Sequence, residues 1–207
     1  MKLRSPAIRS LLAVCLIPAS LSASPAQKTL VCFGDSITAG YGLPENQSYP
    51  VDLDHLLAAQ HSQFRVVNRG VPGDTTKDAL ARLPSILALQ PSVVVLEFGG
   101  NDGLRGIAVE QTERNLTQLV RAFQAAHIRV LLVGIALPPN YGADYVTSFQ
   151  TIFPTVAHTQ HIALMPMIYD GIYTLPGTIQ QDGIHPTAKG SAMIVQHMLP
   201  YLLPLLR

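Results

Sequence analysis

Short apolar runs that alternate with helical patterns are the feature that most constrains how this chain can fold. The runs are nearly continuous in apolar residues, as in strands buried on both faces of a parallel sheet. Such alternation predicts a doubly wound α/β layer with five parallel strands at its centre. The runs lie at residues 30–33, 64–68, 92–98, 129–134 and 161–165, and the helical patterns at 51–61, 76–89, 109–126, 145–160 and 187–203.

The chain has 207 residues, of which 48% are hydrophobic, which is enough for one substantial core. Repeats, low-complexity tracts and linkers are absent from the sequence, so residues 27–207 are predicted to form a single domain. Charged residues make up only 13% of the chain, and its formal net charge is +1. This balance gives no strong field toward nucleic acid or an anionic membrane, so function must be argued from a local site.

The N-terminus has the three parts of a secretory signal peptide. Basic residues come first, a short apolar run follows at 11–17, and small residues then lead to a cleavage site that we place between Ser22 and Ala26. The apolar run is far shorter than the roughly 20 residues of a spanning helix, so we expect no stable membrane insertion. We predict that residues 1–26 form the signal and that the mature protein is periplasmic or secreted. The basic residues of the signal are Lys2, Arg4 and Arg9.

Cleavage would remove Cys15 and leave Cys32 as the only cysteine of a mildly acidic mature chain. An intramolecular disulfide is then impossible, although the compartment would permit one. Cys32 lies within the first predicted strand and is interpreted as an inert buried thiol. We expect the mature protein to be a monomer.

Four polar clusters follow the predicted strands. In a doubly wound sheet the ligand lies beyond the carboxyl ends of the strands, so these clusters are expected to share one edge. They are "GDS" at 34–36, "NRGVPGDTT" at 68–76, "GGND" at 99–102 and "DGIHP" at 182–186.

Ser36, Asp182 and His185 fit the roles of a catalytic triad. A serine hydroxyl is a weak nucleophile unless a base takes its proton, and that base is usually a histidine oriented by a third group. Asp182 and His185 are three residues apart, so on a helical turn the carboxylate could hold the imidazole. The three residues together predict acyl transfer through Ser36.

Acyl transfer also needs donors directed at the developing oxyanion, and losing one typically costs a factor on the order of a hundred in rate. The backbone N–H groups of Ser36 and Gly73 and the side-chain amide of Asn101 are the candidates. Gly73 suits this task because a residue without a Cβ lets a substrate approach the backbone closely.

Some of these residue types also suit other roles. Ser36 could cap the following helix, since serine is favoured there. The six other histidines lack an acid three positions earlier beside a Gly/Pro turn. The chain has no HExxH or paired-cysteine spacing, no Gly-Lys-Ser/Thr after residue 73, and no Gly-x-Ser-x-Gly around Ser36. We therefore expect no metal, no cofactor and no nucleotide site.

Asp35, Asn68 and Asp102 are predicted to support the site. Asp35 would hold the Ser36 loop, and Asn68 would tie the second cluster to the first. Asp102 would either orient the amide of Asn101 or fix its loop. Glu97, near the end of the third strand, is interpreted as hydrogen-bonded scaffolding, although a buried acid there could have a perturbed pKa.

The four clusters resemble the four sequence blocks of the GDSL or SGNH hydrolases, and they occur in the same order. Ile37 replaces the usual leucine of the first block, which leaves the catalytic residues unaffected. The stretches "GDSITAGYGL", "EFGGNDGLRG", "QTERNL" and "LPPNYG" are similar to the bacterial periplasmic thioesterase, lysophospholipase and arylesterase branch. The resemblance extends over nearly the whole mature chain.

This resemblance implies a flavodoxin-like three-layer αβα sandwich and metal-free hydrolysis of acyl esters and thioesters through an acyl-enzyme. The expected substrates are small acyl esters or thioesters, including lysophospholipids and acyl-CoA. Two alternatives stay open, a carbohydrate O-deacetylase on the same fold and a catalytically silent lipid-binding protein. By analogy with the branch, an acyl-chain groove would be formed by Leu104, Ile107, Pro139, Tyr141 and Ile184.

Overall fold

Five parallel strands form the central sheet of the computed structural model, which describes residues 27–207. Their order across the sheet is β2-β1-β3-β4-β5, the flavodoxin-like order. The predicted signal peptide and Cys15 lie outside the described residues. The strands are β1 (Lys28–Gly34), β2 (Phe64–Gly70), β3 (Val93–Glu97), β4 (Arg129–Val133) and β5 (Ala163–Met165).

The predicted alternation of strands and helices is confirmed, with two short helices added. α1 and α4 begin within two or three residues of the ends of β1 and β3 and are too short to show a periodic apolar pattern. The helices are α1 (Ser36–Ala39), α2 (Tyr49–Ala59), α3 (Thr76–Leu87), α4 (Gly100–Leu104), α5 (Val109–Ala125), α6 (Ala143–Gln160) and α7 (Ala188–Leu202), with 3₁₀ turns at Pro139–Tyr141 and Leu203–Leu206.

Side chains from the two faces of the sheet form two separate cores. Because strand side chains alternate, Val31 and Phe33 of β1 enter the core covered by α3, α5 and α6. Leu30 and Cys32 enter the core covered by α2 and α7. The result is the three-layer αβα sandwich that the resemblance implied. Cys32 is fully buried, which raises the pKa of its thiol and keeps it unreactive.

The register of the sheet brings the loops after β1, β2 and β3 together. Gly34, the last residue of β1, pairs with Gly70 on one side and with Glu97 on the other. A Cβ at Gly70 would overlap the backbone of Ala39, so glycine lets α1 lie against the end of β2. Within residues 27–207, no helix combines the length and the apolar character needed to cross a membrane.

Candidate active site

Ser36, His185 and Asp182 form a continuous hydrogen-bonded chain at the carboxyl edge of the sheet. Ser36 is the first residue of α1 and lies two residues beyond Gly34, the last residue of β1. Its Oγ lies 2.9 Å from Nε2 of His185, and Nδ1 of the same ring lies 2.7 Å from Oδ2 of Asp182. The fold thus brings together three residues that were assigned to a triad from the sequence.

Asp182 and His185 lie in a turn rather than on the helical turn that their spacing suggested. Oδ1 of Asp182 accepts hydrogen bonds from the backbone N–H groups of Ile184 and His185, at 2.9 and 3.0 Å. Gly183 between them has φ of +72°, a conformation that favours glycine. One carboxylate therefore shapes the turn through Oδ1 and orients the imidazole through Oδ2.

The charge of Asp182 fixes which atoms donate in the hydrogen bonds from Ser36 through His185 to Asp182. Its limited burial alone would raise the pKa of Asp182, but the hydrogen bonds from the His185 ring and from the backbone of Ile184 and His185 lower it to about 2. An ionised carboxylate can only accept, so Nδ1 of His185 carries the hydrogen. In the neutral tautomer with its hydrogen on Nδ1, Nε2 has the lone pair that accepts the hydroxyl proton of Ser36.

Three tyrosines hold the turn in place, and the sequence analysis did not single them out. Tyr169 and Tyr173 donate their hydroxyl protons to the carbonyls of Ile184 and Gly183, both at 2.9 Å. The ring of Tyr41 lies against the imidazole of His185, with centroids 4.8 Å apart. Tyr169 and Tyr173 precede their acceptors by 15 and 10 residues, and Tyr41 comes from the opposite end of the domain, so no local sequence pattern predicts these contacts.

Two of the predicted oxyanion donors are available. Within residues 27–207, no acceptor takes a hydrogen bond from the backbone N–H of Ser36 or Gly73. Gly73 has φ of +85°, which L residues rarely adopt, and the nearest atom to a built Cβ would be 3.8 Å away on Arg105. The need for glycine is therefore conformational, in addition to the close approach expected from the sequence.

The third predicted donor, the amide of Asn101, is engaged by the protein. Its Nδ2 donates to Oδ2 of Asp35 at 3.1 Å and to the carbonyl of Asp74 at 3.0 Å. Because an amide nitrogen has two hydrogens, a substrate oxyanion must take one of them in exchange for an existing acceptor.

The predicted supporting residues connect the loops of the site. Asp35 caps α1 by accepting from the N–H of Ile37 at 3.0 Å. Asn68 donates to the carbonyl of Thr38 at 2.9 Å, which joins the second cluster to the first. Asp102 accepts from the backbone and hydroxyl of Thr76, at 2.9 and 2.5 Å. Of its two suggested roles, Asp102 is thus placed to fix α4 against α3.

Two carboxyl groups lie buried directly behind the site. Asp35 and Glu97 are 2% and 1% exposed. Burial raises the pKa of Asp35 to about 6. Burial, followed by the neighbouring charge of Asp35, holds the pKa of Glu97 well above its ordinary value. Two adjacent buried acids rarely ionise together, and burial favours the neutral form of Glu97.

A cavity of about 610 Å³ opens over Ser36 and His185 and also contains Gly73 and Asn101. Its walls are mainly apolar. Leu104, Pro139 and Ile184 line it, together with residues that were not predicted, among them Ile135, Leu137 and Met167.

Two residues predicted for the groove are not among those that line it. The N–H of Ile107 donates to the carbonyl of Asp102, and its carbonyl accepts from the hydroxyl of Tyr145, so the chain turns back toward α4 and α6 there. Tyr141 closes the 3₁₀ turn that begins at Pro139. Neither position belongs to the cavity wall, because proximity in sequence to a lining residue does not fix the direction of a side chain.

This arrangement suits acyl transfer by a serine nucleophile. It joins a hydroxyl nucleophile, an imidazole base, an ionised orienting group and free backbone donors at the mouth of an apolar cavity. In the part of the chain that the structure describes, no three His, Cys, Asp or Glu side chains are grouped to hold a metal ion.

Comparisons with known proteins agree with this chemistry. Residues 32–193 match the GDSL-like lipase/acylhydrolase family. The chain is 41% identical to the esterase TesA of Pseudomonas aeruginosa over 95% of this chain and 98% of that protein. It is 39% identical to the thioesterase 1/protease 1/lysophospholipase L1 of Escherichia coli over 87% and 86% of the two chains. A crystal structure of TesA superposes with a TM-score of 0.82 at 41% identity, covering 86% of this chain and 99% of that one.

Proposed function

The chain belongs to the GDSL-like lipase/acylhydrolase family, and from that premise we propose that Ser36, His185 and Asp182 carry out its reaction. The protein is a serine hydrolase of carboxylic esters and thioesters and acts on small acyl substrates. The hydrogen-bonded chain from Ser36 to Asp182 at the mouth of the apolar cavity is the observation that supports this assignment.

The proposed reaction has two halves. Nε2 of His185 takes the proton of Ser36 while Oγ attacks the carbonyl carbon, and the oxyanion accepts from the N–H groups of Ser36 and Gly73 and from the amide of Asn101. The tetrahedral intermediate then collapses as His185 gives that proton to the departing alcohol or thiol, leaving an acyl group on Ser36. In the second half, water attacks the acyl group while His185 takes one of its protons. His185 then returns that proton to Oγ of Ser36, and the carboxylic acid leaves. Throughout, ionised Asp182 stabilises the charged imidazole.

The finer substrate assignment rests on the cavity. Its apolar walls suit the hydrocarbon chain of a fatty acyl ester, and we include lysophospholipids, acyl-CoA and aryl esters among the substrates. A carbohydrate O-deacetylase would instead need a small polar pocket, and a silent lipid-binding protein would not turn over its ligand.

Hydrolysis of p-nitrophenyl esters from acetate to palmitate by the mature protein and by Ser36→Ala tests both the role of Ser36 and the class of substrate. We expect turnover with an optimum at medium or long chains, and its loss in the variant. An optimum at acetate alone would favour the deacetylase. Equal rates in the two proteins would contradict the Ser36 mechanism, and no turnover of any ester by the wild type would favour the lipid-binding protein.

We further propose that the mature enzyme begins after residues 1–26 and is a periplasmic or secreted monomer. The arrangement of basic, apolar and small residues in that segment supports export. Intact-mass measurement of the protein recovered from the periplasm would identify the new N-terminus. Light scattering of the same sample would give its oligomeric state.

A further inference from the structure

A chain of buried polar side chains lies behind the active site, and the mechanism above does not use it. The hydroxyl of Tyr49 on α2 lies 2.9 Å from Oγ1 of Thr38, and Thr38 donates to Oε2 of Glu97 at 2.7 Å. Tyr49 and Thr38 are fully buried. A polar chain of this length inside a core is costly unless its members satisfy one another.

The directions of these hydrogen bonds follow from the number of hydrogens. Thr38 has one hydroxyl hydrogen, and it goes to Glu97, so Tyr49 must donate to Thr38. Oε2 of Glu97 also accepts a long bond, 3.4 Å, from the backbone N–H of Asp35. In this series of buried hydrogen bonds, every donor thus points toward Glu97.

The other oxygen of Glu97 differs from the first. Oε1 is buried and has no hydrogen-bond partner among residues 27–207. Over the same residues, neither Glu97 nor Asp35 forms a salt bridge. An isolated ionised oxygen in the interior is strongly unfavourable, whereas a proton on Oε1 removes the charge. Glu97 holds Asp35 through its other oxygen, Oε2, which accepts the backbone N–H of Asp35.

Asp35 connects Glu97 to the active site. Its Oδ1 accepts from Ile37, and its Oδ2 accepts from the Nδ2 of Asn101, the amide assigned to the oxyanion. The raised pKa of Glu97 agrees with a proton held on that residue, which leaves Asp35 as the member that ionises first. An ionised Asp35 is the stronger acceptor for the amide of Asn101.

The sheet provides the space for this pair. Gly34 lies opposite Glu97 in the register of β1 and β3, and a Cβ at Gly34 would lie 2.6 Å from Oε2 of Glu97 and overlap Thr38. Glycine at this strand end therefore allows Glu97 and Thr38 to meet beneath the Ser36 loop.

We propose that Glu97, in its protonated form, is a positioning residue for the oxyanion donor: it fixes Asp35, and through Asp35 it orients the amide of Asn101. This inference rests on the proposed function. During the reaction the amide exchanges one protein acceptor for the substrate oxyanion, and the carboxyl pair keeps it at the position where that exchange can occur. Glu97 itself does not touch the substrate.

The first test compares Glu97→Gln with Glu97→Met in steady-state hydrolysis of p-nitrophenyl butyrate. Glutamine offers an N–H where the protonated acid has its O–H and keeps an acceptor for Thr38, whereas methionine has similar size and neither group. We expect E97M to lower kcat about 10-fold or more with KM changed less than about 2-fold, because small misplacements of a catalytic donor are costly. E97Q should keep kcat within about 3-fold of the wild type. A wild-type kcat in E97M, or an equal loss in both variants, would overturn the proposal.

A double-mutant cycle with Asn101→Ala separates positioning from general structural damage. If Glu97 acts through Asn101, adding E97M to N101A should lower kcat less than about 2-fold further. Independent, multiplicative losses would overturn the proposal, as would a wild-type kcat in N101A alone. Circular dichroism and thermal unfolding of each variant report folding separately.

A second pair of variants, at Thr38, tests the same proposal even if E97M does not fold. Thr38→Val removes the donor to Glu97 without changing the charge of either acid, and Thr38→Ser retains it. We expect T38V to lower kcat about 3-fold or more and T38S to stay within about 2-fold; equal kcat values in the two would overturn the proposal. Ser36→Ala tests the underlying function by itself. Turnover in S36A would remove the proposed function, whereas an inactive S36A beside a fully active E97M would remove only the role of Glu97.

Discussion

Asp182 binds His185 twice, through the ring at 2.7 Å and through the backbone N–H at 3.0 Å. The same carboxylate therefore sets the position of the histidine backbone and the orientation of its ring. The geometry of this turn therefore sets the geometry of the proposed catalytic base.

Asp182→Asn is expected to lower kcat about 100-fold or more. An amide group facing Nδ1 can donate instead of accept, which favours the wrong tautomer of the imidazole and removes the negative charge that stabilises its protonated form. Ester hydrolysis and thermal unfolding should be measured on the same preparation. A folded D182N with kcat within about 3-fold of the wild type would contradict this role.

The pH profile of kcat/KM should rise between pH 5 and pH 8. The pKa of Asp182 is about 2, so this carboxylate stays ionised and orients the imidazole of His185 across the whole range. The rise comes from ionisation of Asp35, whose pKa burial raises to about 6, because an ionised Asp35 holds the amide of Asn101 more strongly. A rate independent of pH from 5 to 9 would contradict this role of Asp35.

Gly73→Ala and Gly106→Ala form a matched pair. Both glycines have positive φ, at +85° and +65°, and neither would place a Cβ in a severe clash. Each substitution should lower the free energy of unfolding by about 1–2 kcal/mol through backbone strain. Only G73A should also lower kcat, by about 10-fold or more, because only Gly73 lines the cavity with an oxyanion donor. An equal loss of kcat in both variants would exclude a specific role for the N–H of Gly73.

The acyl-chain assignment predicts how kcat/KM depends on substrate length. Each buried CH₂ contributes roughly 0.8 kcal/mol, or about a 4-fold gain, until the cavity is full. Leu104→Ala should reduce this gain for long chains, whereas Ile107→Ala, outside the cavity wall, should not. Measurement across p-nitrophenyl esters of increasing length gives the slope for each protein. A flat series in the wild type would contradict burial of the acyl chain.

The buried pair predicts how stability depends on pH. Unfolded glutamate loses its proton near pH ~4.3, whereas Glu97 keeps it in the folded state, so unfolding releases a proton and stability falls as pH rises. Glutamine does not titrate, so the free energy of unfolding of E97Q relative to the wild type should increase from pH 5 to pH 8, by at most about 1.4 kcal/mol per pH unit. Parallel denaturation curves would show that Glu97 is ionised when folded. The other titratable groups near the pair of Asp35 and Glu97 are Tyr49, Cys32, Tyr169 and His185.

The layers of the fold could be predicted from the sequence because buried strands and amphipathic helices have characteristic patterns of apolar residues. It did not indicate α1 or α4, since four or five residues are too few for a period. The residues assigned to the triad and oxyanion donors could be chosen because the residue types needed for the chemistry follow strand ends.

Contacts between residues on different strands and loops could not be predicted from the sequence. The role of Glu97 depends on its pairing with Gly34 across the sheet, and Tyr169 and Tyr173 reach the Asp182 turn from a separate loop. The groove residues were chosen by proximity in sequence, which placed Leu104 in the wall but also included Ile107.

The most direct test of the central claim is to trap the covalent enzyme on Ser36. A p-nitrophenyl alkylphosphonate reacts with an activated serine, and tandem mass spectrometry locates the adduct. We expect one adduct per chain, on Ser36, formed at least about 100-fold more slowly in His185→Ala and absent in Ser36→Ala. An adduct on another residue, or one that persists in S36A, would contradict the mechanism.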